Sequence, residues 1–430
     1  MTSQYGSNRS FDRTRIAIHT HLTRPAIDAK LWDARRNPKY TKLCLTGVLG
    51  VHGFQQQAPL YLDRDLAISL GELLRCDDRI WERIEIEHCS GETDLVVAVG
   101  MATGRVQSFW FSEVQPDPAT YHALATGFKY NRFAYELRFK RCRLSSAMEV
   151  IGEGLRGNRV IQSITLEQCS IVDDLLAAFV TCLRQCASLQ KLSLEGNICR
   201  SQGTTELGLL LRETTVQSLS LHNQRIEEQE HLDVFPLADA LRRDQSALRF
   251  LDLSRNCLGD DDIRLLVDAL VEDNQKLETL HLDQNLVTDE GARIIADALP
   301  SLVALKTLAL PENPFGERGA TSILNAMPDN YTLETCIIPS GNNLIQRKIR
   351  WYGNLNKGGR RLFSTPRAAP LSVFPLALER VNNMPLSHDW NPEIAPSDVI
   401  YGLLRLGQLL FEDEEEEENG PLSSKNEFSV

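Results

Sequence analysis

The residues of this chain best suited to hold something are two large aromatics, Trp110 and Phe250, and a set of charged or imidazole side chains: Arg83, Arg138, Lys140, His222, Asp252, His281 and Asp283. Aromatics of this size are favoured anchors where proteins meet. The charges separate into a basic group beside Trp110, with Arg138, Lys140 and Arg141, and a more acidic one with Asp252, Asp283 and His281. Such segregation would orient a partner and speed its encounter. Bond-breaking chemistry finds no comparable constellation. Walker-type GK[ST] loops, HExxH, GxSxG, CxxC and EF-hand loops are absent from the sequence. No pair of carboxylates stands with a nucleophile, and His19-Thr-His21 sets two imidazoles together without a convergent acid. The expectation is a non-catalytic protein with no cofactor and no metal.

Residues so far apart can share a surface only if the chain is periodic, and it is. LRFLDLSRNCLGDDDIRLLVDAL, from Leu248, places apolar residues at positions 1, 4, 6, 11, 19 and 23, with Asn256 at position 9. The order returns from Leu277 and Leu305, and its first half from Leu333, Val216, Leu189, Ile161, Ala134, Val106 and Trp81, with a further copy at Tyr40. Most starts lie 25 to 32 residues apart, while the Tyr40 unit is longer, at 41. A period in the high twenties is the signature of a solenoid.

The order of residues explains the unit. Positions 4 and 6 alternate with polar residues, the pattern of a strand buried on one face. The second half, such as DDDIRLLVDALVEDN, has helical spacing with acids at its start, where the helix dipole favours them. One strand and one helix cannot bury their own apolar faces, but stacked copies can, with the strands paired in parallel. The expected fold class is therefore α/β: a curved solenoid with an inner parallel sheet, outer helices and a helical C-terminal cap. An amide at position 9 would satisfy backbone groups in adjacent units. If positions 4 and 6 face the core, positions 3, 5 and 7 face the hollow. That places Arg83, Trp110, Arg138, Lys140, His222, Phe250, Asp252, His281 and Asp283 on one partner-binding face.

These units resemble the leucine-rich repeat family, specifically its ribonuclease-inhibitor-like class, whose consensus is LxxLxLxxNxLxxxGxxxLxxaL. Gly291 and Gly319 occupy the glycine position, which Asp262 fills in the Leu248 unit. The resemblance covers roughly residues 40–345. It implies a horseshoe that binds a protein, and the fold by itself does not name the partner. An alternative is a regulator of a small GTPase, because Ran-type GTPase-activating proteins combine such repeats with an acidic tail. A ribonuclease-inhibitor-like enzyme inhibitor is a further variant, against which the mixed charge of Glu136–Arg141 argues. The C-terminal extension is similar to those of leucine-rich repeat proteins from unicellular algae. The matching residues here are Leu355, Asn356, Gly359, Arg360 and Phe363.

Four regions follow. Residues 1–39 form an N-terminal segment and cap, with RPAIDAKLWDARR as a helix setting Leu31 and Trp32 on the first strand. Residues 40–345 hold ten to eleven repeats. Residues 346–411 form a helical extension anchored by Trp351, Trp390 and Phe411, and residues 412–430 an acidic disordered tail. The net charge is −12, of which seven charges lie in Glu412–Glu418. A nucleic-acid binder would more often be basic, and no apolar stretch has membrane-spanning length. The N-terminus does not read as a signal peptide. The expectation is a cytoplasmic monomer, with nuclear entry through KGGRRLFSTPR as the variant. The ten cysteines fall mostly at core positions, including Cys89, Cys142 and Cys169 at position 9. Cys44, at position 5 of the first unit, is expected to be an exposed thiol.

Overall fold

A computed structural model describes residues 13–47, 59–76, 78–145, 147–224, 232–242, 246–273, 276–341 and 343–360. The chain divides into two compact units, Met1–Leu258 with Asp268–Leu277, and Gly259–Val267 with Glu278–Val430. In the first, strands and helices alternate: β1 (Arg15–His19), α1 (Arg24–Arg36), β2 (Lys42–Thr46), β3 (Leu60–Leu62), α2 (Arg64–Arg75), β4 (Arg83–Glu87), β5 (Cys89–Gly91), α3 (Thr93–Thr103), β6 (Ser108–Ser112) and α4 (Pro118–Tyr130). They continue through β7 (Glu136–Lys140), α5 (Met148–Leu155), β8 (Ser163–Glu167), α6 (Asp173–Leu183), β9 (Lys191–Ser193), α7 (Ser201–Glu213), β10 (Ser218–Ser220), α8 (Phe235–Leu241) and β11 (Phe250–Asp252). After α9 (Asp260–Asp273) come β12 (Thr279–His281), α10 (Asp289–Ala298), β13 (Thr307–Ala309), α11 (Glu317–Ala326), β14 (Thr335–Ile337) and α12 (Asn343–Lys357). Each unit has the expected fold class, an α/β solenoid with a parallel sheet and flanking helices. Except for β3 and β5, which pair only with each other, the strands of each unit join their neighbours in chain order.

The register carries the repeat from strand to strand. Glu85, Trp110, Arg138, Thr165, Ser193, Ser220 and Asp252 lie side by side across the first unit. Positions 4 and 6 are buried throughout, as at Ile84, Ile86, Phe109, Phe111, Leu137 and Phe139. Phe111 and Phe139 stack with centroids 4.8 Å apart, filling the space that leucines fill in later repeats. Burying one such side chain contributes about 1.5–3 kcal/mol.

The turn that follows each strand is the expensive part of the unit. Position 8 lies in the left-handed region at His88, Glu113, Arg141, Gln168, Asn223, Arg255, Gln284 and Glu312, and in glycine form at Gly196. That conformation costs a non-glycine residue roughly 1–2 kcal/mol. In return its N–H reaches the next repeat: Glu113 N to Lys140 O at 2.8 Å, Arg141 N to Glu167 O at 2.8 Å, Gln168 N to Glu195 O at 2.7 Å. Position 9 then points inward and caps the backbone. Asn197 donates to Leu166 O (2.7 Å) and Leu194 O (2.9 Å) and accepts from Cys169 N (3.0 Å). Asn313 does the same for Leu282 O, Leu310 O and Val287 N. Cys142 and Cys169 use their thiols instead, at 3.3–3.7 Å.

A third link explains the glycine of the consensus. The position-13 carboxylate of one unit caps the helix of the next. Asp289 Oδ1 accepts from Gly316 N (2.8 Å) and Gly319 N (2.9 Å), and Asp173 Oδ1 from Arg200 N (2.6 Å) and Gly203 N (2.9 Å). At Gly291 an added Cβ would stand 2.3 Å from Asp260 Oδ1. Asp262, in the glycine position of its unit, turns to its own helix start and accepts from Gly259 N.

Both ends depart in detail from the sequence expectation. β1 is a strand in the N-terminal segment, for which only a helix was expected, and it pairs in parallel with β2. The helix over RPAIDAKLWDARR forms and buries Leu31, but Trp32 is 58% exposed, with the Arg36 guanidinium 3.7 Å above its ring. At the other end α12 packs on α11 and β14. Gln346 closes the last strand, donating to Cys336 O and accepting from Ile338 N, both at 2.8 Å. Asn356 donates to Leu333 O (2.8 Å) and Arg360 to Met327 O (2.8 Å). Asn356 and Arg360, two of the residues behind the extension's resemblance, thus cap the final repeat. Trp351 is half-buried on α12, while Phe363, Trp390, Phe411 and the acidic run lie outside the described residues.

Replacing Gly291 by Ala is expected to destabilise the protein by about 1–3 kcal/mol, as overpacking does. Glycine in a helix interior ordinarily gains about 0.5–1 kcal/mol from that change. Urea unfolding of Gly291→Ala beside wild type checks the sign.

Candidate functional site

The inner face of the first unit's sheet is a lattice of alternating charges around one indole. Trp110, at the centre of β6, is half-buried. The Arg83 guanidinium on β4 stacks 3.4 Å from its centroid, and Arg138 on β7 lies at 5.0 Å. The Trp110 Nε1–H donates to Glu136 Oε2 (3.0 Å), which also accepts from Ser108 Oγ (2.6 Å). Arg138 and Lys140 both pair with Glu167, the former at 3.1 Å. The basic group read from the sequence is therefore largely neutralised by carboxylates one strand away. Arg141 leaves the face: it sits at position 8 and bonds Glu113 (2.8 Å) and Gln168 (3.0 Å). His88 Nε2 extends that rim ladder to Glu113 at 2.5 Å.

Further along the same sheet, Asp252 gathers the remaining residues of the first unit. Ser220 Oγ donates to Asp252 Oδ2 (3.5 Å), and His222 Nδ1 stands 3.9 Å from that oxygen. Phe250, half-buried at position 3, lies beside Ser218 in register. The serine meets the carboxylate rather than the imidazole, so the three do not form a nucleophile–base–carboxylate chain. His281 on β12 and Asp283 just after it are half-buried at positions 5 and 7 of the second unit.

Two carboxylates on the first unit's face titrate in opposite directions. Burial works to raise the Glu167 pKa, but the hydrogen bonds and charges of Lys140 and Arg138 outweigh it and hold it below the ordinary value. Glu195 is raised, first by burial and then by the charge of Glu167, against smaller opposing effects of His222 and Lys140.

Cys44 overturns the expectation of an exposed thiol: it is 1% exposed. β1 adds a strand beside it, and Arg15 reaches over, donating Nε to the sulfur at 2.7 Å, while the thiol donates to Glu85 Oε2 at 3.0 Å. Its pKa is pushed up to about 12, mainly by burial. The exposed cysteines are Cys76 and Cys257. No group of three or more His, Cys, Asp or Glu side chains among the described residues could hold a metal ion. No described helix is long and apolar enough to cross a membrane.

Residues 246–267 and 273–296 match the leucine-rich repeat family. These are two consecutive stretches of the repeat array. No curated protein matches it in sequence. Among solved structures it is similar to an internalin from Listeria monocytogenes, at 13% identity over 72% of this chain and 92% of that one, with a TM-score of 0.39. It is also similar to TLR13 in its complex with ssRNA13 (15% identity, 60% and 36% covered, TM-score 0.38) and to the leiomodin-1 actin-binding site 2 (17%, 37% and 93%, 0.32).

The structure brings Arg83, Trp110, Arg138 and Lys140 together, and separately His222, Phe250 and Asp252. The choice of residues from the sequence passed over their partners Glu85, Glu136, Glu167 and Glu195. Their signal was present: all stand at inward-facing positions 3, 5 or 7, next to a cation or a second acid in a neighbouring copy.

Opposite pH responses follow from the two carboxylates. Glu167 contributes stability above its unfolded pKa, lost as pH falls through its lowered folded value. Glu195 does the reverse: the native state favours its protonated form, so stability declines as pH rises from the unfolded pKa through the raised folded one. At neutral pH Glu167→Gln should lower stability and Glu195→Gln raise it, with both differences vanishing below the carboxylate range. Urea midpoints from pH 3 to 7 measure this. In thiol titration of the native protein Cys76 and Cys257 should react promptly, and Cys44 only after denaturant is added.

Proposed function

We propose that the inner sheet face of the first unit is a docking surface for a folded protein or peptide, centred on Trp110, and that the protein is a non-catalytic recognition scaffold. The observation that carries this reading is the half-exposed indole held rigid among Arg83, Arg138 and Glu136. Trp and Arg are the residues most often dominant in interfaces. Here their ordering cost is met within the fold, so little entropy opposes association. A cation stacked on an indole gains about 0.5–2 kcal/mol, which keeps Arg83 and Trp110 in one arrangement before a partner arrives.

The remaining residues supply selectivity. Lys140 and Arg138 share Glu167, leaving donors directed to the hollow, and Asp252 with His222 presents a second polar group. Phe250 is a smaller apolar anchor. Alternating signs suit a partner that itself carries both charges. That favours a mixed polar protein surface over nucleic acid, which a chain of net charge −12 would repel, and over a uniformly basic enzyme of the kind an acidic horseshoe inhibits.

Capture from lysate on the immobilised protein, followed by mass identification, names the partner. Trp110→Ala combined with Arg138→Glu should weaken the identified complex by about 2 kcal/mol or more, roughly thirtyfold. Circular dichroism should show the wild-type secondary structure, because both side chains are half-exposed, while the unfolding midpoint should fall only as far as loss of the Arg138–Glu167 pair requires. An unchanged captured set and affinity would sink the proposal.

A further inference from the structure

The turns that lead α4 into β7 and α5 into β8 flank an open pocket of about 400 Å³, built from residues outside the inner sheet face. The two helices meet tightly just before it: a Cβ on Gly154 would stand 2.4 Å from Ala125 Cα. Past that crossing the chain turns at Gly157, with φ 73°, and a space opens. Its walls are fixed. Buried Asn158 donates to Phe128 O (2.8 Å) and accepts from Val160 N and Ile161 N (both 2.8 Å). Buried Asn131 accepts from Phe133 N (2.7 Å) and Ala134 N (2.9 Å). These two amides hold both turns in shape without using any of the cations beside them.

Lys129, Arg132, Arg156 and Arg159 line this space, and no carboxylate does. Arg156 is committed to Glu153 at 2.6 Å. Lys129, Arg132 and Arg159 are exposed and make no ion pair with the described residues. Cations near helix C-termini are partly accounted for by the dipole, at about half a charge for each end. Four cations, less Glu153 and two helix ends, leave roughly two positive charges. Planar guanidinium groups that line one space can match the oxygens of a phosphate, which accepts paired charge-assisted hydrogen bonds.

We propose that this pocket is a binding site for a phosphate monoester dianion, held by Arg132 and Arg159 with Lys129, and independent of the protein-docking face. The ester comes either from a phosphorylated small molecule or from a phosphoserine side chain. Calorimetric titration of the full chain with ribose 5-phosphate, and separately with a phosphoserine peptide, tests it. Saturable binding is expected, weakened roughly tenfold or more by Arg132→Gln with Arg159→Gln and unaffected by Trp110→Ala. The unphosphorylated peptide and ribose should not bind. A peptide preferred by tenfold or more identifies a protein source, and equal or weaker peptide binding a small-molecule source. The variant side chains are exposed, and an unchanged unfolding midpoint verifies the fold. If it moves, the single Arg159→Gln variant serves in the same titration. No saturation by either ester up to about 10 mM, or equal affinity in the arginine variants, overturns the proposal.

Discussion

Everything in this protein depends on how the chain leaves each strand without stranding a backbone group. A parallel strand cannot simply reverse; it must bend out of the sheet toward a helix while its last donors and acceptors stay buried. The repeats solve this with one left-handed residue and one inward side chain. The left-handed residue aims its N–H at the next copy, and the Asn or Cys after it satisfies carbonyls on both sides. The cost of the left-handed conformation recurs in copy after copy, so the hydrogen bonds it permits must recur as well. A thiol fills this place in several early units, where an amide with more donors and acceptors serves later ones. The turn geometry therefore tolerates weaker capping, as long as the pocket remains filled.

The same stacking that satisfies the backbone builds the inner face. Strict register puts side chains of equal position in contact, so each charge meets whatever its neighbouring copies offer. Around Trp110 they offer opposite charges, and the result is an ordered, near-neutral surface rather than a basic patch. Glu195 shows the converse: next to Glu167 and partly buried, it is a like-charge neighbour that the fold tolerates and does not benefit from.

Particular residues mark how far the sequence could be read. The alternation at positions 4 and 6 is a property of one segment at a time, and the buried leucines and phenylalanines are where it put them. Asp173, Asp260 and Asp289 were legible as helix-start acids, but not as caps for the following unit, because that role crosses between copies. Trp32 was expected to pack inward beside Leu31, yet adjacent helical residues point to different faces, and only Leu31 faces the core. β1 escaped notice because RIAIH is a single short alternation outside the period. The burial of Cys44 depends on that strand, because β1 and Arg15 cover the thiol.

The amino-acid order alone determined the period, the strand and helix in each copy, and which alternate positions face the hollow, since these follow from spacing within a single repeat. Only tertiary structure decided which charges pair across the face, which thiols are covered, and that two turns flank a cation-lined pocket. Those outcomes arise from contacts between residues a repeat apart, where small differences in register and side-chain reach set the distances. Local periodicity carries no record of them.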